Sequence, residues 1–346
     1  MFLLLEILFH GAEKYTEVKE VEETAVLLCD RDWKSIMETR RVLVTGCSFG
    51  IGLAVAVRLA KDELKRFKVM ATMRDLGKRA ALETAAGETL GRSLEIHQLD
   101  VCCEDSIREC VNNVPDGCLD ILVSNAGMGM IGPLECQSLK TMQDVFNTNF
   151  FGLVRLVKQV LPDMKRRRSG HIVVMSSVMG IQGLPFNDIY SASKFAVEGF
   201  CESLAVQALK FNINMTLVEP GLVLTEFERK VYEDAGNMDL SGTDEETARI
   251  FREIYIPNSE NVFASTGQSP EEVVEQTFQL IVSKDPPFRH QTNLLYTPLT
   301  PMKHADRTGV LPLDVFYRLT FTHSRVFNLS LGLMRMLRRR MRKSKV

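Results

Sequence analysis

A short β-branched apolar run, RVLVT at Arg41 to Thr45, overlaps the glycine-rich sequence TGCSFGIG at Thr45 to Gly52, which leads into an amphipathic stretch from Leu53 to Ala60. Strand, glycine turn and helix in immediate succession open a βαβ unit, and no other segment restricts the possible folds as much. Gly46, Gly50 and Gly52 let the backbone turn tightly and approach a pyrophosphate, whose charge then rests on the helix N-terminus. Strand and helix patterns go on alternating. KVMAT (Lys68 to Thr72), LEIHQL (Leu94 to Leu99), LDILVS (Leu119 to Ser124), HIVVMSS (His171 to Ser177) and NMTLVE (Asn214 to Glu219) are near-continuous apolar strands with amphipathic stretches between them. Such strands predict one α/β domain, a doubly wound parallel sheet with helices on both faces and ligands at the strands' carboxyl ends. A later strand is expected near Thr292 to Tyr296, after a helix from about Pro270 to Val282.

A second constellation carries chemistry. Between Ser177 and Lys194 the chain reads SVMGIQGLPFNDIYSASK, so Ser177 lies thirteen residues before Tyr190 and Lys194 lies four after it. Residues four apart share a helix face, which puts an ammonium beside a phenol. A free phenol has a pKa of about 10, and a fixed cation lowers it toward the range where proton exchange with a carbonyl or hydroxyl is useful. Tyr190 is thus the expected general acid/base, and Ser177, with Tyr190, the expected contact to the substrate oxygen. The spacing selects Ser177 over Ser176.

Taken together these segments resemble the short-chain dehydrogenase/reductase family. TGCSFGIG is similar to its TGxxxGxG, SNAG at Ser124 to Gly127 to its NNAG, and Asn149 in NTNFFG fits its catalytic asparagine. Pro220 and Gly221, with Thr225 following, resemble the segment that closes over the nicotinamide. The resemblance runs from about Arg41 to about Pro298 and implies a single Rossmann-type domain. It implies a catalytic set of Asn149, Ser177, Tyr190 and Lys194, with Lys194 also holding nicotinamide ribose hydroxyls and Asn149 kinking its helix. It further implies a dinucleotide held by Gly46, Cys47, Ser48, Phe49, Gly50, Ile51 and Gly52, by Asp100 and Val101 at the adenine, and by Asn125, Gly127, Tyr190, Lys194, Pro220 and Thr225. Relatives selective for NAD place an acid at the end of the second strand; here Met73 stands there and Arg74 follows, a guanidinium suited to the 2′-phosphate of NADP. Phe49 departs from close relatives, which have a serine, and Ser48 partly replaces that hydroxyl.

Within the family, ATMRDLGK, QLDVC, NFFGLVRLVKQVLPDMKRRRSGHIVVMSSVMG and FNDIYSASKFAVEGF are most similar to photoreceptor-type retinol dehydrogenases, with the related 17β-hydroxysteroid dehydrogenases next. The expected function is NADP-dependent interconversion of retinal and retinol, reduction of all-trans-retinal favoured, with no metal. A steroid or other lipophilic carbonyl reductase is the alternative, and a non-catalytic NADP-binding regulator a remote one. Leu222 to Gly267 follows the Pro-Gly turn and lacks strong periodicity, which makes it the natural lid. Its Phe227, Tyr232, Phe251, Tyr255 and Phe263, with Met179, Leu184, Phe186 and Met238, suit an apolar ligand. Steroid-specific relatives use a lid histidine for a phenolic hydroxyl, and none occurs here between His171 and His290.

The flanks differ from this core. Residues 1–39 carry nine acids against four bases and read as an acidic, flexible extension; the family's usual start would fall near Met37. The enzyme domain is assigned to 40–300 and a C-terminal extension to 301–346. From Arg335 onward there are seven Lys or Arg and no acid, the pattern of a basic amphipathic tail for an anionic membrane surface. Peripheral membrane association at the cytosolic face is expected, with photoreceptor outer segments as the location the resemblance implies and a purely cytoplasmic location as the alternative. A formal net charge of -2 argues against nucleic-acid binding, and eight cysteines without repeated Cys-x-x-Cys pairs argue against zinc or a disulfide framework. The family's pairing through long helices makes a homodimer an expectation as well.

Overall fold

The computed structural model describes residues 39–114 and 117–322, so the acidic extension and the basic tail lie outside the described residues. Seven strands form one sheet: β1 (Arg40–Val44), β2 (Phe67–Met73), β3 (Leu94–Gln98), β4 (Ile121–Ser124), β5 (Gly170–Met175), β6 (Ile213–Glu219) and β7 (Arg289–Gln291). Their order is β3-β2-β1-β4-β5-β6-β7, with every neighbouring pair parallel. The order reverses between β1 and β4, which opens a crevice at their carboxyl ends.

Among the described residues, twelve α-helices cover the sheet and its rim: α1 (Gly50–Ala60), α2 (Ala80–Ala86), α3 (Glu104–Asn112), α4 (Leu139–Phe146), α5 (Gly152–Arg167), α6 (Asp188–Leu209), α7 (Glu226–Gly236), α8 (Glu245–Arg249), α9 (Ile256–Thr266), α10 (Pro270–Val282), α11 (Leu299–Ala305) and α12 (Val310–Tyr317). Strand periodicity divides the apolar residues between two cores. Leu43, Met70, Leu122 and Ile172 face α3, α5 and α6, while Val42, Val44, Val69, Ile121 and Val123 face α1, α2 and α10. Both faces are therefore dry, which is why the strands read as continuous apolar runs.

The last strand is not where the apolar pattern put it. Residues 294–296 form a short helical turn with Leu294 83% exposed, and the strand is Arg289–Gln291. Arg289 is drawn there by charge: its guanidinium bonds Glu198 on α6, Glu219 on β6 at 2.9 Å and Glu202 at 3.0 Å. An ion-pair anchor leaves no hydrophobic signature. The lid differs too. Instead of irregular chain it holds α7, α8 and α9, each of the first two begun by a side-chain cap, Thr225 and Asp244.

Candidate active site

The glycine turn after β1 is a cradle that only glycine permits. Gly46 has φ +74°, and a Cβ there would stand 2.9 Å from the Ala126 Cα. At Gly52 a Cβ would meet the Gly46 carbonyl oxygen at 2.4 Å and Asn125 Nδ2 at 2.3 Å. Asn125 occupies that space as a clamp across the crevice: its Nδ2 donates to the Thr45 carbonyl at 2.9 Å and to the Gly46 carbonyl at 3.3 Å. Thr45 Oγ1 in turn accepts from the amides of Asn125 and Ala126, both at 3.0 Å. Phe49 precedes α1 and offers no side-chain cap, so the first amides of the helix are left for an anion. These features fit a dinucleotide's pyrophosphate.

The structure sorts the sequence candidates around that cradle. Ser48, Phe49, Gly50, Ile51, Arg74, Asp100, Val101, Asn125, Gly127, Pro220 and Thr225 border one continuous cavity of about 970 Å³. Cys47 does not: its thiol donates to the Val44 carbonyl at 3.2 Å and its amide to the Thr72 carbonyl at 2.9 Å, which spends both groups on the core. Gly52 works through packing rather than by facing the cavity. The Asp100 carboxylate accepts from the Cys102 amide at 2.9 Å, fixing the turn after β3. Met73 is buried beneath the cleft, and Arg74 is exposed at its edge. Asp75 does not pair with Arg74; it accepts from the Gly77 amide at 2.9 Å. Lys78, which the sequence reading missed, joins Arg74 on that wall. A basic residue one short turn downstream of β2 was the available signal.

Ser177, Tyr190 and Lys194 meet farther along the same cavity. α6 carries Tyr190 and Lys194, and the end of β5 delivers Ser177, which hydrogen-bonds the Tyr190 phenol and accepts from the Met179 amide at 3.1 Å. The Lys194 ammonium is buried, donates to the Met175 carbonyl at 2.9 Å and stands 5.7 Å from the Tyr190 ring centroid. Burial pushes Lys194 down to about 8, and the carboxylate of Glu198 works the other way. The phenol of Tyr190 is held well above its ordinary value, first by burial and then by the Glu228 carboxylate, with the Ser177 bond opposing them. The expected lowering by Lys194 is thus not realised in this arrangement, because the ammonium is turned to the Met175 carbonyl. Ser176 is occupied elsewhere, its hydroxyl donating to Glu198.

Asn149 lies in a wide helical turn, Asn147–Phe151, between α4 and α5, where the helix lengthens its hydrogen-bond step. Such single turns free a side chain from the regular ladder. Its Nδ2 donates to the Met128 carbonyl and to Ser193 Oγ, both at 2.9 Å, and its Oδ1 accepts from the Met128 amide at 2.7 Å. The residue therefore ties the segment after β4 to α6, one position before Lys194.

Above this centre the lid closes an apolar space. Met179, Leu184, Phe227, Tyr232 and Tyr255 line it, joined by Met130, Ile131, Phe316 and Leu319, of which the last two come from beyond residue 300. The remaining candidates pack the lid rather than face the cavity: Phe186, ahead of the lid, packs edge-on against Phe251 and Tyr255 at 5.0 Å, Phe263 lies tilted against Tyr232 at 6.1 Å, and Met238 joins the cluster around Ile131. An aromatic that packs lid against lid and one that faces a ligand have the same sequence signal.

An arrangement of this kind can place a phenolic proton and a serine hydroxyl on one oxygen at the end of an apolar cavity, beside a dinucleotide cradle. Known proteins resemble the chain that carries it. Retinol dehydrogenase 8 of Homo sapiens is 56% identical over 292 residues, 84% of this chain and 94% of that one. The 17-beta-hydroxysteroid dehydrogenase type 1 of Homo sapiens is 43% identical over 282 residues, 81% and 85% of the two chains. The closed form of serine dehydrogenase complexed with NADP+ superposes with a TM-score of 0.59 at 28% identity, over 72% of this chain and 93% of that chain. Residues 40–236 match the family described as short chain dehydrogenase, and with this match and its parallel seven-stranded sheet the chain belongs to the short-chain dehydrogenase/reductase oxidoreductases.

Proposed function

We propose that the protein is an NADP-dependent oxidoreductase that interconverts retinal and retinol, with reduction of all-trans-retinal favoured and Tyr190 as the general acid/base. The observation that carries this reading is the placement of the Ser177–Tyr190 pair at the end of an apolar cavity of about 970 Å³ that also opens onto the glycine cradle. Identity of 56% to a protein named retinol dehydrogenase supports the substrate class. A bound nicotinamide cofactor supplies the hydride. Ser177 donates to the carbonyl oxygen and fixes its direction. Tyr190 gives that oxygen its proton, so the phenol's high pKa favours the protonated acid needed for reduction. Lys194 keeps a buried positive charge near the phenolate that remains and would hold the nicotinamide ribose hydroxyls. Asn149, through Ser193 and Met128, keeps α6 in register with the cavity floor. Arg74 and Lys78, neither of them paired with a carboxylate among the described residues, would take the 2′-phosphate of NADP; the neighbour solved with NADP+ adds to that reading.

Initial rates with purified protein test the proposal. NADPH is expected to outperform NADH, and all-trans-retinal to be reduced roughly tenfold or more efficiently than estrone, because the lid lacks the histidine that steroid-specific relatives use for a phenolic hydroxyl. Equal or better efficiency with estrone defeats the retinoid reading and favours the steroid one.

No helix among the described residues is long and apolar enough to cross a membrane. We place the protein on an anionic membrane surface through its basic tail, where each base contributes about 1 kcal/mol and Leu331, Leu333, Met334 and Leu337 add apolar surface. Exposed Leu313 and Tyr317 on α12, just ahead of the tail, support this. Because Leu319 and Thr320 border the cavity, the informative truncation ends at Thr322. The shortened protein is expected to leave anionic vesicles and keep its activity on a short-chain aldehyde; unchanged co-sedimentation places the anchor elsewhere.

A further inference from the structure

Glu228 is the one carboxyl in the first turn of α7 that faces the cavity without a partner. Its neighbours Glu226 and Glu233 are bound at the surface by Arg229, at 2.9 and 3.0 Å. The Glu228 amide donates to Thr225 Oγ1 at 3.4 Å, but no hydrogen bond or ion pair reaches its carboxyl among the described residues. The side chain borders the same space as Phe227, Val231 and Tyr232. Its surface is therefore that of a cavity wall, and the protein around it withdraws it from bulk water, which pushes the carboxyl up to about 7. It is close enough to Tyr190, Tyr232 and Tyr255 to raise all three phenols when ionised.

We propose that Glu228 is a specificity-determining residue whose carboxylate admits neutral aldehydes and alcohols to the cavity and excludes the corresponding carboxylic acids. The inference rests on the reading that the Ser177–Tyr190 pair receives the polar end of a lipophilic substrate. An aldehyde and its acid differ by one oxygen, and an apolar cavity on its own separates such pairs poorly. A fixed negative charge withdrawn from water separates them well, since a second carboxylate beside it must either bear the repulsion or take up a proton. The groups around Glu228 do not neutralise it: Tyr190, Tyr232, Tyr255 and Tyr296 are phenols, Lys194 is turned to the Met175 carbonyl, Arg229 is engaged by Glu226 and Glu233, and Lys230 is exposed. The exclusion should hold above pH 7 and relax below it, where the carboxyl takes up its proton.

The experiment measures binding of retinoate and of decanoate to the full-length enzyme loaded with NADPH, at pH 6 and at pH 8.5, by nicotinamide fluorescence, alongside turnover of retinal and decanal. For the wild type, both acids should bind at least tenfold more weakly at pH 8.5 than at pH 6. Glu228→Gln should abolish that difference by binding the acids tightly at both pH values, and Glu228→Asp should retain it. In the alcohol-oxidation direction, which needs the phenolate, Glu228→Gln should also shift the rising limb of the pH profile to lower pH, because the anion that disfavours the phenolate is gone. Acid affinity in the wild type that does not weaken at pH 8.5, or a Gln variant that keeps the wild-type pH dependence, overturns the proposal. Should Glu228→Gln not fold, Glu228→Ala takes its place with the same expectation, because the Lys194 ammonium, held down to about 8, also loses charge by pH 8.5 and only a Glu228 variant separates the two. Turnover of decanal without turnover of retinal sinks the retinoid reading and leaves the decanoate measurement to decide this one.

Discussion

Replacing Tyr190 with phenylalanine is expected to leave a folded protein that binds NADPH and reduces retinal about 10³-fold more slowly, within the range typical of a lost general acid. The ring stays, so the packing of α6 against the cavity floor stays. What disappears is the one proton that Ser177 helps to aim and that burial keeps on the phenol. Single-turnover reduction and a cofactor titration on the same sample separate the two effects. Near-native turnover with intact cofactor binding would remove Tyr190 from the mechanism.

Gly52→Val strikes the other half of the site and is expected to cost both stability and cofactor affinity. Already its Cβ falls 2.4 Å from the Gly46 carbonyl oxygen and 2.3 Å from Asn125 Nδ2, so the clamp that joins β1 to β4 must open. Overpacking of this kind costs about 1–3 kcal/mol. If the bound state has to bear that strain as well, NADPH affinity falls by roughly 10- to 100-fold. A thermal scan together with nicotinamide fluorescence checks it; wild-type affinity in the variant would show that Gly52 is not needed for the cradle.

Much of this was legible in the chain because it has a local cause. The strands are dry on both faces, so each appears as an apolar run, and β1 to β6 fall within two residues of their expected positions. The helix from Pro270 to Val282 was equally plain, since Ser269 and Glu272 form a capping box at its start. Spacing on one helix brought Tyr190 and Lys194 together. What the chain concealed depends on partners distant in sequence. β7 is held by an ion pair reaching back 91 residues, so the exposed apolar run at Leu294 and Leu295 was the misleading signal. Cys47 sits within the glycine motif yet is consumed by Val44 and Thr72. Lid aromatics divide between ligand-facing and self-packing only once α7 and α9 are placed. The direction in which Lys194 points is set by the Met175 carbonyl at the end of β5, and the high pKa of Tyr190 by burial and the Glu228 carboxylate, none of which a side-chain pattern reveals.

The ion-pair cluster under α6 also has a bearing on how the protein is made. Glu198 and Glu219 enter dry positions 91 and 70 residues before the arginine that satisfies them. A chain still emerging from the ribosome, with β1 to β6 already synthesised but residue 289 not yet out, has two carboxylates bound for the interior and only Lys194 nearby to offset them. Closing the sheet at that stage would strand a charge. Arg289 therefore acts as a late key, and the ground beneath Lys194 becomes electrically complete only when nearly the whole domain has been translated.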